Sequence, residues 1–467
     1  MEKVLYWFRS DLRLNDNSVL KDALACNQSL SFLFVHDPRA RHTSLAGIPR
    51  TGWHRRRFLK QSLEDLRRQL KELGFELLEI WGEPEEVIPE LMEFNDVGLL
   101  YFSRESAPEE IRIESLLRNN LAQKSRSTVE GWTQFLLDPD ELGVLSKKLP
   151  RVFTDFRKQI ESRGLENLVL APHTLHRELV KARPFALKWA NQTSFKNITG
   201  ALRSSVQSVD ENWWHPTLEE EQLCLTAAIG NIPDAKSKII KGGSSAAEEH
   251  LDHYLFSTRA AFRYFDTRNG LLSGFDSTLF SPWLANGCLS PRRIFHELKK
   301  AESIHGANKS TYWIVFELLW RDFFKHHLLN SGERFFHPEG LSGRQEKEVP
   351  TVEAVKEKLA EALSCRSGHV FADANIRELI LTGFMSNRGR QNVASHMIYS
   401  MGIPWWMGAA VFEALLVDYD AASNWGNWSY IAGVSFDPRG GRQFNLDKQQ
   451  RDYDPDGEYV SAWSNRI

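Results

Sequence analysis

Apolar positions along this chain change their spacing as it proceeds. Over roughly the first 130 residues, short apolar runs alternate with stretches of helical period. Val4–Phe8, Leu30–Val35, Phe75–Ile80 and Val97–Phe102 read as strands. Between them, His54–Leu73 repeats Phe58, Leu59, Leu63, Leu66, Leu70 and Leu73 on one helical face and stops at Gly74. Pro84–Glu93 and Pro108–Leu121 read as further helices. Strands alternating with helices predict a doubly wound, largely parallel α/β sheet. No GxGxxG fingerprint occurs, so the sheet need not hold a dinucleotide.

The pattern then loosens. Pro150, Pro172, Pro184, Pro216 and Pro233 interrupt the next stretch, and Gly242-Gly243-Ser244-Ser245 closes it. We expect a long connector crossing the surface. Helical spacing resumes at Ser245, which stands at capping-box distance from Glu248, and persists to about Ala422. Pro438, Gly440 and Gly441 mark loops beyond it. The expected organisation is an α/β domain over 1–135, a connector over 136–244 and an all-α domain over 245–467. No internal repeat or low-complexity tract appears.

Composition adds limits. A chain of 467 residues accommodates two or three cores, and apolar and charged fractions of 42% and 25% are ordinary for a soluble protein. The N-terminus enters a strand at once, with no signal-peptide pattern and no apolar run that would span a bilayer. The expectation is a cytoplasmic protein with no membrane partner. Cys26, Cys224, Cys288 and Cys365 are scattered without metal-ligand spacing, so no metal is expected. A net charge of -3 leaves any nucleic-acid binding to a local basic patch.

Residues 382–430 carry the chemistry. Asn387, Arg388, Arg390, Asp418, Asp420 and Asn424 stand among tryptophans in a stretch that otherwise reads as helix. Surface ion pairs would be the plain explanation of any one of them. Leu415-Leu416-Val417 before the acids, and Trp425 and Trp428 after them, place the charges in an apolar setting. Charge buried there needs a partner or a ligand, and the mixture suits a large polar ligand with an aromatic part.

The wording is specific. Gly383-Phe384-Met385-Ser386-Asn387-Arg388-Gly389-Arg390-Gln391-Asn392, followed by Asp418-Tyr419-Asp420 and Ser423-Asn424-Trp425-Gly426-Asn427-Trp428, resembles the flavin-binding core of the photolyase/cryptochrome family. Within the family it looks most like the DASH-type cryptochromes. Trp7-Phe8-Arg9-Ser10-Asp11, Leu149-Pro150-Arg151-Val152-Phe153-Thr154-Asp155-Phe156-Arg157, Thr267-Arg268-Asn269-Gly270, Phe280-Ser281-Pro282-Trp283 and Glu317-Leu318-Leu319-Trp320-Arg321-Asp322-Phe323 match further family segments in order.

The resemblance implies FAD in the helical domain. Asp418 and Asp420 would hold the flavin chain and ring edge, with Arg390 paired to Asp418 and Asn424 facing flavin N5. Tyr264 and Ser277, Thr278, Leu279, Phe280 and Ser281 would hold the diphosphate and adenosine, and Asn387 and Arg388 would complete the pocket. The family usually has Lys or Arg where Leu279 stands. Trp428 and Trp405 would be the proximal and middle members of an electron-carrying tryptophan row. Its outer member is missing between Phe336 and Ala362, the usual Gly-Tyr-Pro reads Gly368-His369-Val370, and Tyr399 or Trp406 are candidate replacements.

Glu317 and Trp320 would meet a cyclobutane pyrimidine dimer, with Tyr430 and Gln391 where many photolyases have Trp and Met. Those two replacements suit a weaker grip on a flipped lesion, hence single-stranded DNA. Arg321, Lys325, Arg388, Arg439 and Arg442 are candidate phosphate contacts. Glu105 and Tyr419 would contact 5,10-methenyltetrahydrofolate as antenna. The implied function is light-driven dimer repair by a monomeric lyase. A blue-light receptor of the same fold is the alternative, and the short C-terminal part after Trp463 leans toward repair. The His pair expected for (6-4) photoproduct repair is not found in the matching segment.

Overall fold

The computed structural model describes residues 3–25, 29–143, 149–188, 209–227, 240–272, 276–343, 350–437 and 439–464. Five strands run in the order β3-β2-β1-β4-β5, all parallel. They are β1 (Lys3–Phe8), β2 (Ser29–His36), β3 (Leu77–Trp81), β4 (Leu99–Ser103) and β5 (Ser127–Gly131). α1 (Ser18–Ala25), α2 (Trp53–Glu72), α3 (Pro84–Phe94) and α4 (Pro108–Gln123) connect them. Tyr6, Phe8 and Phe32 share a core with Val19 of α1 and Phe58 and Leu66 of α2. Leu5, Trp7 and Leu33 pack with Leu91 of α3 and Leu117 of α4. Alternate strand residues thus feed opposite faces, and because both faces are covered the central strands are apolar throughout.

The expected doubly wound sheet is present, with two elements that periodicity did not reveal. β5 reads Ser-Thr-Val-Glu-Gly and is nowhere fully buried, so it lacks an apolar run. α1 has only eight residues. A two-residue strand, β6 (Arg183–Pro184), also pairs with the start of β2.

The connector is more than a surface crossing. Its helix α5 (Phe153–Ser162) buries Phe153, Phe156 and Ile160. Trp213 meets Trp81 of β3 edge-on at 5.3 Å, and Glu220 forms a buried pair with Arg56 of α2 at 2.6 Å. Prolines do mark it, but its aromatic residues fill gaps that neither domain closes alone. Pro233 and Cys26 lie outside the described residues.

The expected capping box also differs. α6 (Ser244–Asp252) is capped by Gly243 without a side-chain bond. Asp65 of α2 serves instead, accepting from the Ser245 N–H at 3.0 Å and the Ser245 hydroxyl at 2.8 Å. Glu248 turns away to Arg293 at 3.1 Å.

Four helices position the remaining chemistry: α7 (Lys309–Ser331), α8 (Asn387–Tyr399), α9 (Trp405–Leu415) and α10 (Ala421–Ala432). Glycine permits close packing at two points. A Cβ at Gly408 would overlap the Trp428 ring, and one at Gly426 would overlap Phe324. α7 joins the α/β part through fully buried Asp322, which accepts from the Leu136 and Leu137 N–H groups at 3.1 and 2.8 Å. No helix among the described residues is long and apolar enough to cross a membrane.

Candidate flavin and substrate site

The loop between Asp418 and Asp420 lies between α9 and α10, so its two acids reach different partners. Asp418 is 5% exposed and accepts from Arg390 Nη2 at 2.8 and 3.0 Å and from Ser281 Oγ at 2.6 Å. Arg390 extends from the first turn of α8, where its Nε donates to the Met385 carbonyl at 2.8 Å. Asp420 caps α10 by accepting from Ser423 N–H at 2.8 Å and pairs with Lys325 of α7 at 2.8 Å. Burial works to raise the Asp420 carboxyl, but Lys325 and Arg321 overcome it and hold the group well below the usual carboxylate range.

Asn424, one turn into α10, donates from Nδ2 to the Ala409 carbonyl at 2.9 Å. Around residues 276–281 a second set of polar groups gathers. Tyr264 is buried, and burial pushes its hydroxyl pKa up, with Glu317 adding to the effect. Neighbouring Tyr254 packs on Phe280 at 5.7 Å, and its buried hydroxyl has no partner. His250 bonds the Thr278 carbonyl at 2.9 Å. Leu279 holds φ at +52°, a left-handed conformation that costs a bulky residue about 1–2 kcal/mol. Such strain concentrates at ligand clamps. Ser277 and Thr278 are half-buried, and Ser281 is exposed while bonded to Asp418. An unpartnered buried hydroxyl beside a paired acid–arginine setting fits a large polar ligand of the flavin nucleotide kind.

Other expected members are placed differently. Asn387 is exposed at the start of α8. Arg388 is half-buried, bonding Gln391 Oε1 at 2.9 Å and Asn269 Oδ1 at 3.1 Å and lying over the Tyr453 ring at 4.6 Å. Two candidate phosphate contacts are corrected. Lys325 is 3% exposed and committed to Asp420, and Arg321 donates to the backbone carbonyls of Gln134 and Leu284 at 2.6 and 3.2 Å. Lys325 is buried and Arg321 is half-buried with its guanidinium committed to backbone carbonyls. Arg442 pairs with Asp437 at 2.7 Å and reaches the Tyr430 hydroxyl, while Arg439 is largely exposed.

Glu317 and Trp320 stand one turn apart on α7. Glu317 is half-buried and paired with Arg268, and burial raises its pKa against the opposing pull of Arg268. Trp320 stacks on Phe153 of the connector at 3.8 Å with a 12° interplanar angle. Tyr430 meets its edge at 5.7 Å. Neither the Phe153 stack nor the Arg268 pair was foreseen, although both residues lie in the segments that carried the resemblance.

Trp428 is buried against Gly408 and meets Phe412 edge-on at 5.0 Å. Trp405 is 1% exposed and donates to the Pro338 carbonyl at 2.8 Å. Its ring contact is with Trp425, at 5.8 Å, and Trp425 Nε1 in turn lies 3.3 Å from the Tyr419 hydroxyl. Trp406 has a buried indole N–H without a partner, and Tyr399 donates to the Ile431 carbonyl at 2.9 Å. Neither ring touches Trp405.

A cavity of about 370 Å³ opens where the strand order reverses between β1 and β4, beyond their carboxyl ends. That is where open α/β sheets bind ligands. Glu105 and Tyr419 both line it, one from each domain. Burial pushes the Glu105 carboxyl up to about 7 against Arg9 and Lys325, and Gln134 Nε2 donates to it at 3.1 Å. Arg55 lies over the Tyr419 ring at 4.8 Å with Nη1 unpartnered.

The geometry agrees with what is found among known proteins. Residues 4–174 match the family model described as DNA photolyase, and residues 313–467 match the FAD binding domain of DNA photolyase. The chain belongs to the photolyase/cryptochrome family. It is 39% identical to Cryptochrome DASH of Gloeobacter violaceus over 98% of this chain and 85% of that one. It is 40% identical to Cryptochrome DASH of Danio rerio, over 98% and 82% of the two chains. Among solved structures, a Synechocystis cryptochrome superposes with a TM-score of 0.85 at 34% identity, covering 99% of this chain and 88% of that one. A class III photolyase from Agrobacterium tumefaciens gives 0.76 at 25%, covering 99% and 86%. The helical part is therefore a family FAD-binding domain, and its resemblance is to the DASH type.

Proposed function

We propose that the protein is a cytoplasmic, monomeric, light-driven lyase that splits cyclobutane pyrimidine dimers, with preference for single-stranded DNA. The observation that carries this reading is the pairing of Glu317 with Trp320 on one face of α7, beside Tyr430. A carboxyl group and an aromatic face are what a flipped dimer needs, one for hydrogen bonding and one for stacking. FAD, when bound and reduced, would supply the light-driven electron chemistry that opens the two bonds linking the bases.

The chain's own groups bind and orient. Asp418, fixed by Arg390 and Ser281, and Asp420, fixed by Lys325, would hold the flavin through their carboxylates. Asn424 Oδ1 would accept from a ring N–H. Tyr254, Tyr264 and the strained 277–281 turn surround the place for diphosphate and ribose, where Leu279 adds no charge. Trp428 and Trp405 are the electron donors that keep the cofactor reduced. Glu105, Tyr419 and Arg55 would hold an antenna such as methenyltetrahydrofolate in the interdomain cavity.

The test compares repair of one dimer in a single strand and in fully paired duplex at matched salt, because salt changes the phosphate contribution. Faster repair of the single strand is expected. Glu317→Ala and Trp320→Ala should lower repair while the blue flavin absorption persists. Wild-type repair by both variants would overturn the site, and a flavin-loaded protein that repairs neither substrate would favour the photoreceptor reading.

A further inference from the structure

One buried ammonium serves both the α/β part and the flavin loop. Lys325 Nζ donates to Asp420 Oδ2 at 2.8 Å and to Gln134 Oε1 at 3.2 Å. Gln134 Nε2 donates to Glu105 Oε1 at 3.1 Å and to the Ser10 carbonyl. A continuous chain of polar contacts therefore runs from Asp420 through Lys325 and Gln134 to Glu105, and all four residues line the interdomain cavity. Its two middle members are each 3% exposed. An ammonium has donors only, so Gln134 must turn Oε1 to Lys325 and Nε2 to Glu105. Arg321 fixes the Gln134 backbone by donating to its carbonyl at 2.6 Å. The Glu105 oxygen that meets Nε2 is thus an acceptor in either charge state, and a proton on this carboxyl sits on the other oxygen.

The charges around the chain decide what it can do. Facing Glu105 are Arg9, Glu110 and Glu114 of α4, and Lys325. Arg9 is already divided between Glu110 and Glu114, so Lys325 is the cation whose load can change. Around Lys325 stand Asp420, Asp322 one turn back on α7, and His326, whose ring burial keeps neutral. Asp420 has Arg321 as its second cation. Burial brings the Glu105 carboxyl to about 7 and that of Asp322 to about 6, so these two change charge near neutrality. With Glu105 neutral, Lys325 serves Asp420 alone. With Glu105 ionised, one ammonium serves two carboxylates in a low-dielectric wall, and the two sites titrate as a coupled pair.

We propose that Lys325 and Gln134 are positioning residues that couple the interdomain cavity to the flavin pocket, so that ionisation of Glu105 loosens the hold of Lys325 on Asp420 and makes a bound flavin harder to reduce. The flavin end rests on the assignment of Asp420 to the cofactor above, and the Glu105 end does not. The proton that Glu105 loses passes to solvent, which this half-buried carboxyl still touches, and no other reactant is required. A cavity occupant with N–H donors favours the carboxylate and acts in the same sense as a rise in pH. The coupling is reciprocal: negative charge added to the flavin raises the pH at which Glu105 ionises.

Two measurements on the flavin-loaded full-length protein, with no antenna compound added, test this. Infrared difference spectra between wild type and Glu105→Gln follow the protonated Glu105 band against pH. Gln134→Met removes the N–H that Glu105 accepts, and in that background the midpoint should rise by about one pH unit. Asp420→Asn frees Lys325 for Glu105 and should lower the midpoint. The flavin reduction potential, read against a reference dye, should be the same in wild type and Glu105→Gln at about pH 5.5 and lower in wild type above the midpoint. Pairing with Glu105→Gln cancels the titrations of the flavin itself and of Asp322. If Asp420→Asn does not fold, Gln134→Met and the paired potentials still decide.

A Glu105 midpoint unmoved by Gln134→Met, or one below about pH 5 in wild type, would overturn the coupling. A midpoint that moves as expected while the paired potentials coincide at every pH would keep the link from Glu105 to Lys325 and remove Asp420 from the flavin. The two readings therefore fail separately.

Discussion

The Lys325–Asp420 pair makes the most demanding prediction. Lys325 is 3% exposed, its nitrogen is 2.8 Å from Asp420, and Asp420 also caps α10, the helix that carries Asn424 and Trp428. Lys325→Met keeps the volume but leaves the carboxylate unpaired. Asp420→Asn keeps the cap acceptor but leaves the ammonium unpaired. Removing one partner of a buried pair costs about 3–5 kcal/mol, whereas removing both charges costs much less. Urea unfolding of the flavin-loaded protein at pH 7, followed by circular dichroism, should therefore show each single variant destabilised by about that amount. The double variant should be more stable than either single one.

The pH dependence follows from the direction of the Asp420 shift. Its folded pKa is depressed, so the pair's stabilisation is complete above the unfolded value near 4 and is lost as pH falls through the folded one. The gap between wild type and Lys325→Met should narrow as pH falls, because protonation neutralises the variant's unpaired carboxylate before that of wild type. Single-variant losses under about 1 kcal/mol that simply add in the double variant would show a solvated pair and refute the argument.

Glu105 should behave oppositely. Its carboxyl is raised to about 7, so the stability it contributes is present below its unfolded value near 4.3 and is lost as pH rises through 7. Glu105→Gln should exceed wild type by about 2 kcal/mol at pH 8, after allowance for partial exposure, with the gap closing toward pH 4; a gap independent of pH would refute it. Trp428→Phe should abolish most photoreduction while chemically reduced protein still repairs, since phenylalanine is too hard to oxidise. Trp425→Phe should slow photoreduction, because Trp425 is the ring that touches Trp405. A transient Trp radical signal unchanged in both would exclude this route.

The features legible along the chain were local and periodic. Alternation of apolar runs located β1 to β4 and α2 to α4, because side-chain burial with period 2 or 3.6 is written in contiguous residues. It missed β5, whose edge position requires no apolar run, and it misread the start of α6, where Asp65 replaced the local cap. The family motifs located the acids, the arginines and the tryptophans of the candidate site, since clustered charge among aromatic residues is itself unusual. Their partners were set by the packing of helices and sheet. Lys325 went to Asp420 rather than to DNA, Arg268 went to Glu317, Phe153 to Trp320, and Glu105 and Tyr419 to one cavity wall. Those contacts join residues far apart along the chain. Which charge meets which, and which ring is covered, depends on how helices and sheet pack, and no local spacing encodes that.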